Sequence, residues 1–156
     1  MNSIGNLIGE LCKVILPIPE ELYHGNSNSK FAICTLSSLD LLRKMKNSEI
    51  LKHVSIVGRL LSENKGIDAI IQYVNQNKNI NTIIVCGKDV WGHKAGHSLF
   101  KLHQNGIDID GKIIGSTSPD PYLRSTPYQI NYFRKKINLV NMINETDFEK
   151  IKQKIF

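Results

Sequence analysis

Cysteine is scarce in this chain. There are three, Cys12, Cys34 and Cys86, widely spaced and odd in number, with no Cys-x-x-Cys pair. Neither a disulfide framework nor a thiolate zinc site is written there. Cys34 and Cys86 fall inside predicted strands, where free thiols are buried and inert, and this usage fits a reducing, cytoplasmic setting. Long apolar runs are missing as well: nothing approaches the roughly 20 residues of a membrane helix. Residues 4–16 are apolar in part, but Glu10 and Lys13 interrupt them. They lack a basic start and a small-residue cleavage site, which argues against a signal peptide. No Gly-x-Gly-x-x-Gly appears, and the glycine-bounded stretch 58–66 lacks the Gly-Lys-Ser/Thr ending of a phosphate-binding Walker loop. Arg-rich runs and aromatic platform motifs are absent too. The net charge is +6, part of it in Arg134, Lys135, Lys136, Lys150, Lys152 and Lys154, but Glu145, Asp147 and Glu149 interleave with the last of these. This reads as a solvated basic face or a surface for an acidic partner, not as a nucleic-acid interface.

What is present is a soluble, globular composition, 41% hydrophobic and 22% charged over 156 residues, enough for one domain with a real core. Residues 1–30, with Pro17, Pro19 and an Asn/Ser run, read as an irregular N-terminal arm, and residues 31–156 as the domain. Short apolar runs predict strands over 31–36, 53–57, 82–86, 111–115 and 137–143. Ser37 with Asp40 three residues on resembles a capping box for a helix through Lys46. Ile67, Ile70, Ile71 and Val74 recur at i, i+3, i+4, i+7, so 63–77 is a helix with one buried face. Further helices are expected over 94–104, 128–136 and 146–155. Strand and helix alternate, so the fold class is α/β: a mostly parallel sheet with helices on both faces.

The most informative stretch is 87–97, Gly-Lys-Asp-Val-Trp-Gly-His-Lys-Ala-Gly-His. It places His93 between Gly92 and Gly96, where a strand hands over to a helix, the edge at which open α/β sheets bind ligands. The glycines leave space near the backbone. A helix N-terminus disfavours imidazolium, so a neutral ring there can ligate a metal or act as a base. A histidine at a helix start can equally well just bond the chain or face water. His97 follows four residues on and suggests a zinc pair, but the helical wheel puts it on the polar arc with Lys94, Lys101 and Gln104, toward solvent. His103 falls on the apolar arc as a satisfied core histidine, while His24 and His53 belong to no cluster. Two more loops reach the same edge. Residues 58–66 carry Ser62, Glu63 and Asn64, suited to polar ligand groups or to an ordinary capped turn. Residues 113–123 are stiffened by Pro119 and Pro121, as the wall of a flat-ligand site or as a plain connector.

Taken in order, these stretches resemble the A subunit of tetrahydromethanopterin S-methyltransferase, the corrinoid-carrying component of a sodium-pumping complex. The resemblance rests on Tyr23-His24-Gly25-Asn26, Ala32-Ile33-Cys34-Thr35-Leu36, Glu63-Asn64-Lys65-Gly66-Ile67, Val85-Cys86-Gly87-Lys88 and Gly92-His93-x-x-Gly96. Residues 102–108, 111–115 and Pro121-Tyr122-Leu123 extend it. Each motif alone is weak; the ordered set, from about residue 22 to the end, is specific. It implies a Rossmann-like domain that binds a cobamide, with His93 as the lower axial ligand of cobalt. The cobalt then accepts a methyl group from methyl-tetrahydromethanopterin and passes it to coenzyme M with partner subunits. The residues expected to hold the cofactor are Thr35, Ser37, Gly58, Glu63, Asn64, Gly87, Lys88, Gly92, Gly96, Pro119, Pro121 and Tyr122. The protein is expected to carry methyl groups but not to be active alone, since no cluster here would activate a thiol acceptor.

The chain departs from the family pattern at Trp91 (usually lysine), His97 (usually glutamine) and Ser118-Pro119-Asp120, all around the expected pocket. The family's full-length members also end in a membrane helix that these residues do not contain, so a soluble domain or homologue is expected, cytoplasmic or at the cytoplasmic face of a membrane complex. Two other readings remain open: a non-catalytic binding or regulatory homologue, and a metal-dependent enzyme using His93 and His97.

Overall fold

The structure is a computed structural model that describes residues 21–156. The apolar stretch 4–16, Cys12, Pro17 and Pro19 lie outside the described residues. Strands β1 (Leu22–His24), β2 (Phe31–Cys34), β3 (Ile56–Gly58), β4 (Thr82–Gly87) and β5 (Asn138–Ile143) form one sheet in the order β1-β3-β2-β4-β5. β2 to β5 run parallel, and β1 is antiparallel to β3. The connections contain helices α1 (Leu39–Lys46), α2 (Lys65–Gln76), α3 (Ala95–Asn105) and α4 (Pro127–Lys136), and α5 (Phe148–Lys152) follows the last strand. This is the expected mostly parallel α/β sheet, consistent with a Rossmann-like fold.

Side chains alternate across a strand, and the two cores follow from that. Ala32, Cys34, Ile83 and Val85 face Ile67 and Ile71 of α2, Leu99 and Leu102 of α3 and Phe133 of α4. Ile33, Ile84 and Cys86 face the opposite way, onto Leu41, Leu42 and Met45 of α1 and Phe148 and Ile151 of α5. The β2–β3 and β3–β4 connections run in opposite directions across the sheet, so the topological switch lies between β2 and β4. Ligands of open α/β sheets bind at such a crevice.

The sequence reading is corrected at four places. Leu22–His24, read as irregular, is an edge strand, with Leu22 opposite Gly58; three residues are too few to show a strand period. Residues 111–115 do not join the sheet. Gly111 and Gly115 both have positive φ (83° and 85°), which breaks the extended run, and only isolated bridges Ile107–Ile113 and Lys112–Tyr122 remain. β3 begins at Ile56, because His53 closes a 3₁₀ turn over Glu49–Lys52. The Ser37–Asp40 box does not form: Ser38 is the N-cap, and the Ser37 hydroxyl donates to the Lys88 carbonyl at 2.7 Å. A full capping box sits instead at Thr126 and Gln129, with Pro127 in the first turn of α4.

Candidate functional site

The carboxyl ends of β2, β3 and β4 are stitched together by short bonds. Thr35 N–H donates to the Gly58 carbonyl at 2.9 Å, and Ser37 N–H to that of Lys88 at 3.0 Å. Lys88 N–H donates to Ser38 Oγ at 2.9 Å, and Arg59 Nη2 to the Ser37 carbonyl at 3.3 Å. The chain closes so tightly here that a Cβ on Gly87 (φ +78°) would lie 2.3 Å from the Thr35 carbonyl oxygen. Only glycine fits both that dihedral and that contact.

After β4 the chain turns through Gly92 (φ 80°) and Lys94 (φ 48°) into α3. A left-handed lysine is unusual and costs energy. Asp89 holds the turn. Its carboxylate accepts N–H bonds from Val90 at 2.7 Å, Gly96 at 2.8 Å and His97 at 3.0 Å. An acid is the favourable charge at a helix N-terminus, where N–H groups lack partners. The sequence reading missed Asp89; its place just before the turn into a helix was the available signal.

The chemistry concentrates at Glu63, His93 and Asp120. Glu63 precedes α2, and its side chain is only 1% exposed. Oε2 lies 2.8 Å from His93 Nδ1, and Oε1 accepts the Asp120 N–H at 3.0 Å. An ionised carboxylate only accepts hydrogen bonds, so Nδ1 is the donating nitrogen of this pair, and in a neutral ring the lone pair is left on Nε2. The His93 side chain is 27% exposed, and among the described residues Nε2 has no hydrogen-bond partner. Beside it, a Cβ on Gly92 would meet nothing within 4 Å. Asn64 caps α2 by accepting the Lys65 N–H at 2.7 Å, and its amide donates to the Asp120 carboxylate at 2.9 Å and carbonyl at 3.2 Å. The loop after α3 is pinned from its other side too. Buried Ser98 bonds both Ser116 Oγ and Ser118 Oγ at 2.6 Å.

Of the expected cofactor-binding residues, Glu63, Asn64 and Gly92 adjoin His93 through the contacts above, and Pro119 and Pro121 flank Asp120. Ser37, Gly58 and Lys88 lie along the stitched strand ends. Thr35 and Gly87 are buried beneath that edge, Thr35 at 0% exposure with its hydroxyl 3.4 Å from the Gly58 carbonyl. Gly96 is buried as well; a Cβ there would meet Leu36 Cδ1 at 3.0 Å, so this glycine permits helix packing. Tyr122 is 45% exposed, and its backbone pairs with Lys112.

His97 is not left to solvent as the wheel suggested. It is half-buried, and its Nε2 accepts the Thr117 N–H at 3.3 Å because the loop after α3 folds back over the helix. Burial, then the nearby Lys101 and Lys94, hold its pKa below the ordinary 6.5. His93 and His97 therefore serve different partners, and no group of three or more His, Cys, Asp or Glu side chains placed to hold a metal occurs among the described residues. His103 is the satisfied histidine expected: Nε2 lies 2.7 Å from the Ile137 carbonyl. Cys34 and Cys86 are buried free thiols, and burial pushes the Cys34 pKa up to about 12 and that of Cys86 higher still. A cavity of about 240 Å³ lies between the sheet and α2; it is lined mainly by apolar residues such as Leu22, Ile56 and Ile70 and reaches the strand end at Gly58 and Arg59, and His93 is not among its lining residues. No helix among the described residues is long and apolar enough to cross a membrane.

Comparison with known sequences finds relatives along most of the chain. The family described as the tetrahydromethanopterin S-methyltransferase A subunit matches residues 16–156. The A 2 subunit of this methyltransferase from Methanothermobacter thermautotrophicus is 34% identical, over 89% of this chain and 78% of its own length. The A subunit of a putative methyltransferase, Mtx, from Methanosarcina acetivorans is 33% identical, over 88% of this chain and 66% of its own. The A 1 subunit from Methanothermobacter thermautotrophicus is 36% identical, but the chain covers only 54% of its length.

Proposed function

The chain belongs to the family of tetrahydromethanopterin S-methyltransferase A subunits, and from that premise we propose that it is a cobamide-binding methyl carrier with His93 as lower axial ligand. One observation carries the reading: a buried carboxylate holds His93 Nδ1, while Nε2 of this partly exposed ring has no hydrogen-bond partner among the described residues. A metal-ligating histidine almost always donates its other ring N–H to a carboxylate or carbonyl, which fixes the tautomer and raises ligand basicity. A Cβ on Gly92, next to His93 in the chain, would meet nothing within 4 Å, so no neighbouring group crowds that side of the turn. These residues fit the group.

When bound, the corrin cobalt supplies the position that takes a methyl group from methyl-tetrahydromethanopterin and yields it to coenzyme M. The chain's own residues bind and orient. His93 Nε2 would supply the lone pair that ligates the cobalt. Glu63 fixes the ring by accepting the Nδ1 proton, and its second oxygen ties the ring to the 117–121 loop through Asp120 N–H. The two described thiols are buried and protonated, so donor and acceptor sites are assigned to partner subunits of the methyltransferase.

The test is a titration with aquocobalamin followed in the visible region. The expected result is stoichiometric binding with the spectral change of an imidazole entering the cobalt coordination sphere, lost in His93→Ala and retained in His97→Ala. Equal losses in both variants would favour a paired metal site, and wild-type protein that binds no cobamide would leave a binding or regulatory homologue.

A further inference from the structure

Trp91 is the chain's one tryptophan, and its side chain is unused by the fold: 94% of it is exposed. It occupies the turn that delivers His93, two residues before the imidazole, with only Gly92 between them. That turn is held by hydrogen bonds at several points. Asp89 bonds its start, Lys94 N–H closes it on the Val90 carbonyl at 2.8 Å, and Lys94 Nζ reaches Thr117 Oγ1 at 3.5 Å. A large aromatic surface is held out to water beside a histidine with an uncommitted nitrogen.

Resting on the cobamide reading above, we propose that Trp91 is a second, apolar contact for the macrocycle, its indole packing against the face or rim that the imidazole approaches. An axial ligand stands perpendicular to the ring it serves. The face of that ring therefore extends over the surface from which His93 rises. Two residues span at most about 7 Å of chain, so Trp91 lies within reach of that face. Gly92 carries no side chain that would hold the ring off, and the space beside it is open. An indole covers a large apolar area with few rotatable bonds, so ordering it on a flat conjugated partner costs little. Glu63 and His93 set the coordination; Trp91 adds affinity without touching the metal.

Aquocobalamin titrations of wild type, Trp91→Ala and Trp91→Phe test this, together with the single indole N–H resonance in a nitrogen–proton correlation spectrum. The proposal expects about ten-fold weaker binding for Trp91→Ala, a smaller loss for Trp91→Phe, and an unchanged axial-ligand spectrum at saturation in both. It also expects the wild-type indole resonance to shift with cobamide occupancy. Wild-type affinity in Trp91→Ala, with an unmoved indole resonance, would overturn it and assign the exposed indole to a protein partner. Wild-type protein without an axial-ligand spectrum would overturn the cobamide reading and this proposal with it.

Discussion

The two ends of α3 carry the same kinds of residue and do different work. At the N-terminal end the Asp89 carboxylate takes the N–H groups of Gly96 and His97; at the C-terminal end the Arg134 guanidinium bonds the carbonyls of His103 at 3.1 Å and Gln104 at 3.0 Å. Each charge has the sign the helix dipole favours. Each end also has a half-buried histidine. His103 gives its Nε2 to the Ile137 carbonyl and sets its ring edge-on to Phe133, 6.0 Å between centroids. His93 is anchored through Nδ1 to a buried carboxylate, and its Nε2 has no partner among the described residues. A histidine's role is thus read from what its second nitrogen lacks, which a sequence does not record.

Four perturbations separate the ends, in falling order of expected effect. Phe133→Ala empties a fully buried position beside His103 and should cost about 3–5 kcal/mol of stability, as large-to-small aromatic changes do. Denaturant unfolding measures this, and the cobamide affinity of the folded fraction should be unchanged. A comparable fall in affinity would show that the C-terminal end is not merely structural. Glu63→Gln should do the reverse. Weakening a ligand's supporting bond typically costs 10–100-fold in metal affinity, about 1.4–2.7 kcal/mol, with a smaller loss of stability. Visible titration and thermal melting on the same samples compare the two effects.

Arg134→Ala removes both bonds to the last carbonyls of α3 and should destabilise by about 1 kcal/mol, read from the denaturation midpoint. The smallest effect is the pH dependence at His97. Its folded pKa is lowered by burial and then by Lys101 and Lys94, so below 6.5 the unfolded chain binds a proton that the folded chain resists. This contribution to stability is full above pH 6.5 and is lost as pH falls from there through the folded value. His97→Gln should flatten the profile in that window; an unchanged acid limb would place the proton uptake elsewhere.

Much of this was legible along the chain. The 3.6-residue recurrence of Ile67, Ile71 and Val74 marked the buried face of α2, and the compact run 82–86 marked the interior strand β4, because both periods are local consequences of backbone geometry. The glycines around His93 marked the turn. Reading stopped where partners are distant. Glu63 and His93 are thirty positions apart and Glu63 and Asp120 fifty-seven, and nothing local distinguishes a carboxylate that caps a turn from one buried against an imidazole. Likewise, the wheel of α3 sent His97 outward because it knows nothing of the loop that folds back over it through Thr117.

The sequence by itself determined the class of fold, the histidine between two glycines, and the family. Tertiary structure decided which groups meet: that β1 pairs as an edge strand, that 111–115 leaves the sheet, and that a buried carboxylate holds His93 at Nδ1. The physical reason is range. Periodicity and turn chemistry act over a few residues, whereas burial and hydrogen-bond pairing at this edge depend on four segments brought together only by closure of the parallel sheet.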